Sequence, residues 1–205
     1  MMAKALAHNG AAKVYIVGRR KEKLDAAAKQ CPTGNMIPIV GDVSSKASLQ
    51  AIASQIASET GYINLLIANS GVTGPLLNEL PPNPTLQQFQ EYAWNWSMED
   101  FTNTYNVNNT AAFFTVIAFL ELLDAGNKKD NLPGISSQVI ITASIASFLR
   151  RVLTGFAYVT SKAAAASMTK ALATYLVPYG IRCNAFAPGR ALSLPLRVCE
   201  VVTTY

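Results

Sequence analysis

The chain has 205 residues, of which 50% are hydrophobic and 14% charged, and it carries a formal net charge of +5. Its basic residues fall in scattered pairs (Arg19-Arg20, Lys128-Lys129, Arg150-Arg151) rather than along one stripe, which argues against a nucleic-acid partner. The three cysteines, Cys31, Cys183 and Cys199, lack disulfide-framework or metal-ligand spacing and read as free thiols of a reducing compartment, with no metal expected.

Short β-branched runs alternate with alanine-rich segments of helical period, the pattern of an α/β parallel sheet flanked by helices. In chain order the expected elements are a strand at 13–17, a helix at 20–30 closed by Cys31-Pro32-Thr33-Gly34, and a strand at 36–40. Ser44-Ser45 then cap a helix that Gly61 ends, and a strand follows at 63–68, apolar enough to be covered on both faces. The Pro- and Asn-rich stretch 74–96 reads as a long functional loop, and 98–123 as one long helix. A strand at 138–142, a helix at 157–177 stopped by Pro178 and Gly180, and a strand at 181–185 complete the regular part. No linker interrupts the series, so one domain over 1–205 is expected. The longest apolar stretch, 110–123, is too short to span a bilayer and contains Glu121, and 1–17 has no leader-like apolar run. A cytoplasmic protein without a membrane partner is the expectation.

The chemistry centres on Tyr158-Val-Thr-Ser-Lys162, because residues four apart on a helix share a face and bring an amine near a phenol. A free phenol ionises near pH ~10, so proton exchange near neutrality needs help worth roughly 4 kcal/mol. One cation at about 5 Å supplies roughly 3 kcal/mol at an effective dielectric of ~20, and a second positive group, such as an oxidised nicotinamide, the remainder. Ahead of the tyrosine, strand 138–142 ends in Ala143-Ser144, which puts a hydroxyl at a carboxyl end, where open α/β sheets bind ligands. Judged alone, Ser144 reads equally as a turn or cap residue.

Together these elements resemble the short-chain dehydrogenase/reductase family. Asn69-Ser70-Gly71 is similar to its NAG element, Val107-Asn108 to its helix asparagine, and Ala143-Ser144 to its serine strand. Tyr158 to Lys162 is similar to its YxxxK, and Ile181-Arg-Cys-Asn-Ala-Phe-Ala-Pro188-Gly189 to its IRVNAxxPG; all occur in the family's order. The resemblance implies a Rossmann-like, doubly wound, three-layer sheet and hydride transfer between NADP(H) and a carbonyl or alcohol substrate. It makes Tyr158 the general acid/base, Ser144 the holder of the substrate oxygen, Lys162 the partner of tyrosine and nicotinamide ribose, and Asn108 the anchor of a water, with Asn106 and Asn109 as rivals and a polar residue filling a helix bend as the alternative. Asp42-Val43 resembles the family's adenine-contacting dipeptide, and Asn69, Gly71, Pro188 and Gly189 fall at its cofactor positions. Gly18-Arg19-Arg20 stands where NAD users carry an acidic residue; a guanidinium at Arg19 suits a 2′-phosphate, so NADP is favoured over NAD. The resemblance also implies a homo-oligomer paired through the long helices.

Two departures stand beside it. The family's opening strand and TGxxxGxG turn have no counterpart, and 1–7 is similar to the helix that follows that turn. The implied sheet lacks its central strand, leaving 14–17 and 63–68 without their shared neighbour and independent folding in doubt. After Gly189 the tail 190–205 matches no family segment, although the β-branched stretch 196–205 has strand character. The competing readings are an inactive fragment or pseudoenzyme acting as an interaction module, and isomerase or dehydratase chemistry, which the chain's length disfavours. Trp94, Trp96 and Pro81-Pro82 either line an entrance or pack among aromatics.

Overall fold

β1 (Lys13–Gly18) and β2 (Met36–Val40) alternate their side chains between two apolar layers, as a strand's period of two requires. Tyr15 and Val17 enter one core with Ile39, Leu66 and Val139, while Val14 and Ile16 enter a second core with Met36, Ile67 and Ile140. Having both faces buried demands helices on both sides. α1 (Met2–His8) and α2 (Lys21–Lys29) cover the second core, and α3 (Lys46–Glu59) packs its Leu49, Ile52 and Ile56 into the first. The computed structural model describes residues 2–152, 154–189 and 200–204.

β3 (Leu65–Ala68), β4 (Gln138–Thr142) and β5 (Arg182–Phe186) run parallel to one another, as do β1 and β2. Pro38 lies in β2, at a sheet edge, where a missing N–H is tolerated. The sheet order is β2-β1-β6-β3-β4-β5. The expectation of an empty central position is therefore corrected: β6 (Glu200–Thr204) fills it, running antiparallel to both neighbours. Val202 faces Tyr15 on one side and Leu66 on the other, at 0% exposure. Two central strands with unpaired edges would each leave a row of buried N–H and C=O groups unsatisfied, and any β-branched segment that reaches the gap relieves that cost. The tail stretch 190–199 and Tyr205 lie outside the described residues, so of the expected strand at 196–205 only Glu200–Thr204 is seen.

Two other expectations need correcting. The stretch 98–123 is not one helix: α5 (Met98–Tyr105) passes into a π turn (Asn106–Ala111), then α6 (Ala112–Ala118). α7 (Leu120–Lys129) leaves the α5–α6 run at 45° after Phe119, a fully packed residue whose φ of −109° ends the regular helix. The 74–96 excursion contains α4 (Leu86–Trp94), held by a capping box in which Thr85 accepts from the Gln88 N–H and the Gln88 side chain accepts from the Thr85 N–H. α8 (Phe156–Tyr175) is the long helix over β4 and β5. Among the described residues no single helix is long and apolar enough to cross a membrane.

The strand that fills the centre is imperfect. Thr203 is fully buried, and its hydroxyl has no hydrogen-bond partner among the described residues. Thr203→Val, which removes that hydroxyl at nearly constant volume, is expected to raise the unfolding free energy by about 1 kcal/mol. A denaturant titration showing equal or lower stability would mean that the hydroxyl is satisfied in solution.

Candidate active site

The carboxyl ends of β1, β3 and β4 form one edge of the sheet, and most of the polar residues singled out in the sequence gather along it. Gly71, after β3, lies directly over two side chains from distant elements. A Cβ placed on it would meet Asn108 Oδ1 at 3.1 Å and Lys162 Nζ at 3.3 Å. A side chain there would force one of the two to give way, so a glycine suits this close approach.

Asn108 comes from the π turn, whose extra residue turns this carboxamide inward to 1% exposure. Its Nδ2 donates to the Val72 carbonyl and to Ser161 Oγ, both at 2.9 Å, and its Oδ1 accepts from the Val72 N–H at 2.8 Å. Lys162, on α8, is 4% exposed and donates to the Thr142 carbonyl at 2.6 Å. Thr142 closes β4, and its hydroxyl donates to Asn69 Oδ1 at 2.7 Å, joining the ends of β3 and β4. Two residues on, Ser144 caps a short 3-10 turn (Ile145–Ser147), its Oγ accepting from the Ala146 N–H at 3.1 Å. The cap reading of Ser144 is thus correct, and it leaves the hydroxyl proton free to act elsewhere. Tyr158 is half-buried one helical turn before Lys162, and α8 packs against that same 3-10 turn. Pro188 is tied in as well, its carbonyl accepting from the Ile145 N–H at 3.0 Å, while Gly189 is exposed at the end of the described stretch.

A second group lies at the ends of β1 and β2. Asp42 accepts from the Ser44 hydroxyl at 2.6 Å and the Ser44 N–H at 2.9 Å. These bonds, with a smaller contribution from the Arg19 guanidinium, hold its carboxyl below the usual carboxylate range. Arg19 is exposed. The Val43 side chain does not join this group: it is buried with Leu49 and Ile52 in the first core, so only its backbone faces the edge.

Thr142 and Ser161 escaped the sequence reading, although Ser161 stands directly before Lys162 in the motif and Thr142 ends the strand that leads to Ser144. A cleft of about 600 Å³ opens beside Val72, between α4 and α5, and Trp96, Tyr92, Asp100 and Thr104 are among its lining residues. Trp96 both lines it and packs against Tyr92 and Phe156; Trp94 is 86% exposed and does neither. Gly155, at the head of α8, presses on the Pro75 carbonyl so closely that no side chain fits between them.

A sheet with helices on both faces and polar groups gathered at its carboxyl ends defines the doubly wound α/β class. The model of the short chain dehydrogenase family matches residues 1–193, and the chain belongs to that family. It is similar to the short-chain dehydrogenase/reductase PhomF of Diaporthe leptostromiformis, at 51% identity over 190 residues, 92% of this chain and 64% of that relative. This chain thus spans slightly less than two thirds of the relative's length. Among solved structures it resembles the Pseudomonas aeruginosa RhlG/NADP active-site complex, with a TM-score of 0.76 and 26% identity over 95% of this chain and 68% of that one. It also resembles an NAD+-bound xylitol dehydrogenase, with a TM-score of 0.69 and 25% identity over 85% of this chain and 59% of that one.

Gly71→Ala is expected to lower stability by about 1–3 kcal/mol, since the added methyl must displace the carboxamide or the amino group beneath it. Thermal and denaturant unfolding check this, and an unchanged midpoint would show that the junction is loose.

Proposed function

We propose that this chain carries the proton-transfer half of a short-chain oxidoreductase that interconverts a carbonyl and an alcohol with NADP(H). The observation that supports it most is the junction of Gly71, Asn108 and Lys162 at the carboxyl edge, with Lys162 one helical turn after Tyr158 and bonded to the Thr142 carbonyl, two residues before Ser144. Tyr158 gives its phenolic proton to the carbonyl oxygen in reduction and takes the alcohol proton in oxidation. Lys162 stabilises the negative charge that develops on the phenolic oxygen, and Ser144 donates its free proton to the substrate oxygen. Asn108 holds the backbone at Val72 in place and anchors the water that connects Lys162 to solvent.

The nicotinamide cofactor, when bound, supplies or accepts the hydride. The residues present fit its two ends: Lys162, Tyr158, Pro188 and Gly189 on the nicotinamide side, and Asp42, the Val43 backbone, Asn69, Gly71 and Arg19 on the adenosine side. The exposed guanidinium of Arg19 favours NADP over NAD, in line with the NADP of the similar RhlG complex and in contrast to the NAD+ of the xylitol dehydrogenase. No TGxxxGxG run for the central phosphates occurs in the sequence, and β6 occupies the sheet position between β1 and β3. That same observation favours a second reading, a catalytically silent interaction module in the cytoplasm. Its contact surface would be the exposed Phe113 and Ile117 of α6 with Phe156 and Tyr175 of α8, paired with a second copy. Fluorescence titration with NADPH separates the two: micromolar binding by the chain as it stands supports the enzyme, and no binding supports the module.

In a chain that also carries the family's glycine-rich strand and turn, Tyr158→Phe is expected to cut NADPH-dependent reduction of phenanthrenequinone by roughly a hundred- to ten-thousand-fold. Cofactor affinity should stay within about threefold, and undiminished turnover would refute the role given to Tyr158. In the same chain Arg19→Ala is expected to weaken NADPH binding about tenfold and NADH binding hardly at all, as one lost charge-assisted contact implies. Equal losses for both cofactors would remove the case for NADP.

A further inference from the structure

We infer that Ser161 is a positioning residue of the proton-transfer group, whose hydroxyl fixes the Asn108 carboxamide with its oxygen turned toward the Lys162 amino group. The inference rests on the function proposed above and deepens it. Ser161 is fully buried on the inner face of α8. Its one proton goes to the Tyr158 carbonyl at 2.9 Å, which leaves only lone pairs for its neighbour. It must therefore face a donor, and Asn108 Nδ2 meets it at 2.9 Å. The second Nδ2 proton goes to the Val72 carbonyl and Oδ1 takes the Val72 N–H, so the carboxamide satisfies three partners in one orientation only. Turned over, its oxygen would face two acceptors and its NH2 would face an N–H.

The orientation matters because Oδ1 and Lys162 Nζ are neighbours, both lying within 3.3 Å of the point where a Gly71 Cβ would sit. An amide oxygen in that shared space favours the ammonium, whereas the reversed amide would present N–H groups to it and weaken its hold on the Tyr158 phenol. Ser161 touches no reacting atom in this scheme. It acts through Asn108 on Lys162, and through Lys162 on the phenol.

The test reads Tyr158 directly and needs no substrate. Tyrosinate absorbance is followed across alkaline pH in the chain as it stands, and subtraction of the Tyr158→Phe variant isolates the Tyr158 component. Ser161→Ala is expected to move the half-point of that component upward by about half a pH unit. Ser161→Thr, which restores the hydroxyl, should return it to the parent position. In an Asn108→Ala background, Ser161→Ala should add nothing, because the residue acts through Asn108. A Ser161→Ala titration that superimposes on the parent, or a shift that adds fully to that of Asn108→Ala, overturns the inference. Should Ser161→Ala fail to fold, Ser161→Cys carries the test: its weak acceptor predicts a shift in the same direction, and a parent-like titration counts against it. Turnover surviving Tyr158→Phe would sink the function reading instead; loss of turnover there, with an unmoved Ser161→Ala titration, sinks only the role of Ser161.

Discussion

Burying a lysine amino group is costly unless it is paired, and Lys162, at 4% exposure, is held on the Thr142 carbonyl at the end of β4. That contact joins α8 to the end of β4, beside the apolar packing of Ala165 and Leu172 against the sheet. Space beside the amine is tight: a Cβ on residue 71 would crowd both the amine and the Asn108 carboxamide. Four segments distant in sequence, the ends of β3 and β4, the π turn and α8, are thereby brought to one point. Asn69, Gly71, Asn108, Thr142, Ser161 and Lys162 are joined there, so this part of the site is shaped by the partners of buried polar groups.

The centre of the sheet obeys the same rule in its backbone. β1 and β3 both require a neighbour, because unpaired N–H and C=O groups cannot be left in a dry core. Glu200–Thr204 meets that requirement in an antiparallel sense, at the cost of burying two threonines where the other central strands place valine, leucine and isoleucine. Among the described residues the hydroxyls of Thr203 and Thr115 find no partner, which marks the mismatch. The direction of β6 also places Glu200 opposite Val17, at the carboxyl edge where the candidate ligand-binding residues lie. Both neighbouring strands are therefore paired while the packing around them is imperfect, and the two requirements, pairing and filling, are met to different degrees by one short segment.

The edge itself has two separately built halves. The inner half, around Lys162, is held inside the fold: Asn108, Ser161, Thr142 and Lys162 all hydrogen-bond to protein groups there. The outer half, Arg19 with Asp42, is open to solvent and held mainly by the turn that Ser44 makes on Asp42. Rigid placement suits proton transfer, which fails with small displacements, and an exposed cation suits recognition of a charged group arriving from water.

The sequence by itself determined the α/β alternation, five of the six described strands to within two residues, and the placing of Tyr158 and Lys162 one turn apart on one helix, because strand burial, helical period and four-residue spacing are local properties. It also marked Asn108, Ser144, Asn69 and Gly71, through motifs whose order along the chain is specific even where each one alone is weak. It missed α4, although Thr85 and Gln88 carry a capping-box signal, since the surrounding prolines outweighed it. Only the tertiary structure decided that 98–123 bends through a π turn, that Val43 turns into the core, that Ser161 and Thr142 join the site, and that the tail supplies the central strand. Each of these depends on which distant group is left needing a partner, a buried amine, an orphaned carboxamide or an unpaired strand edge, and no local pattern in the chain records that.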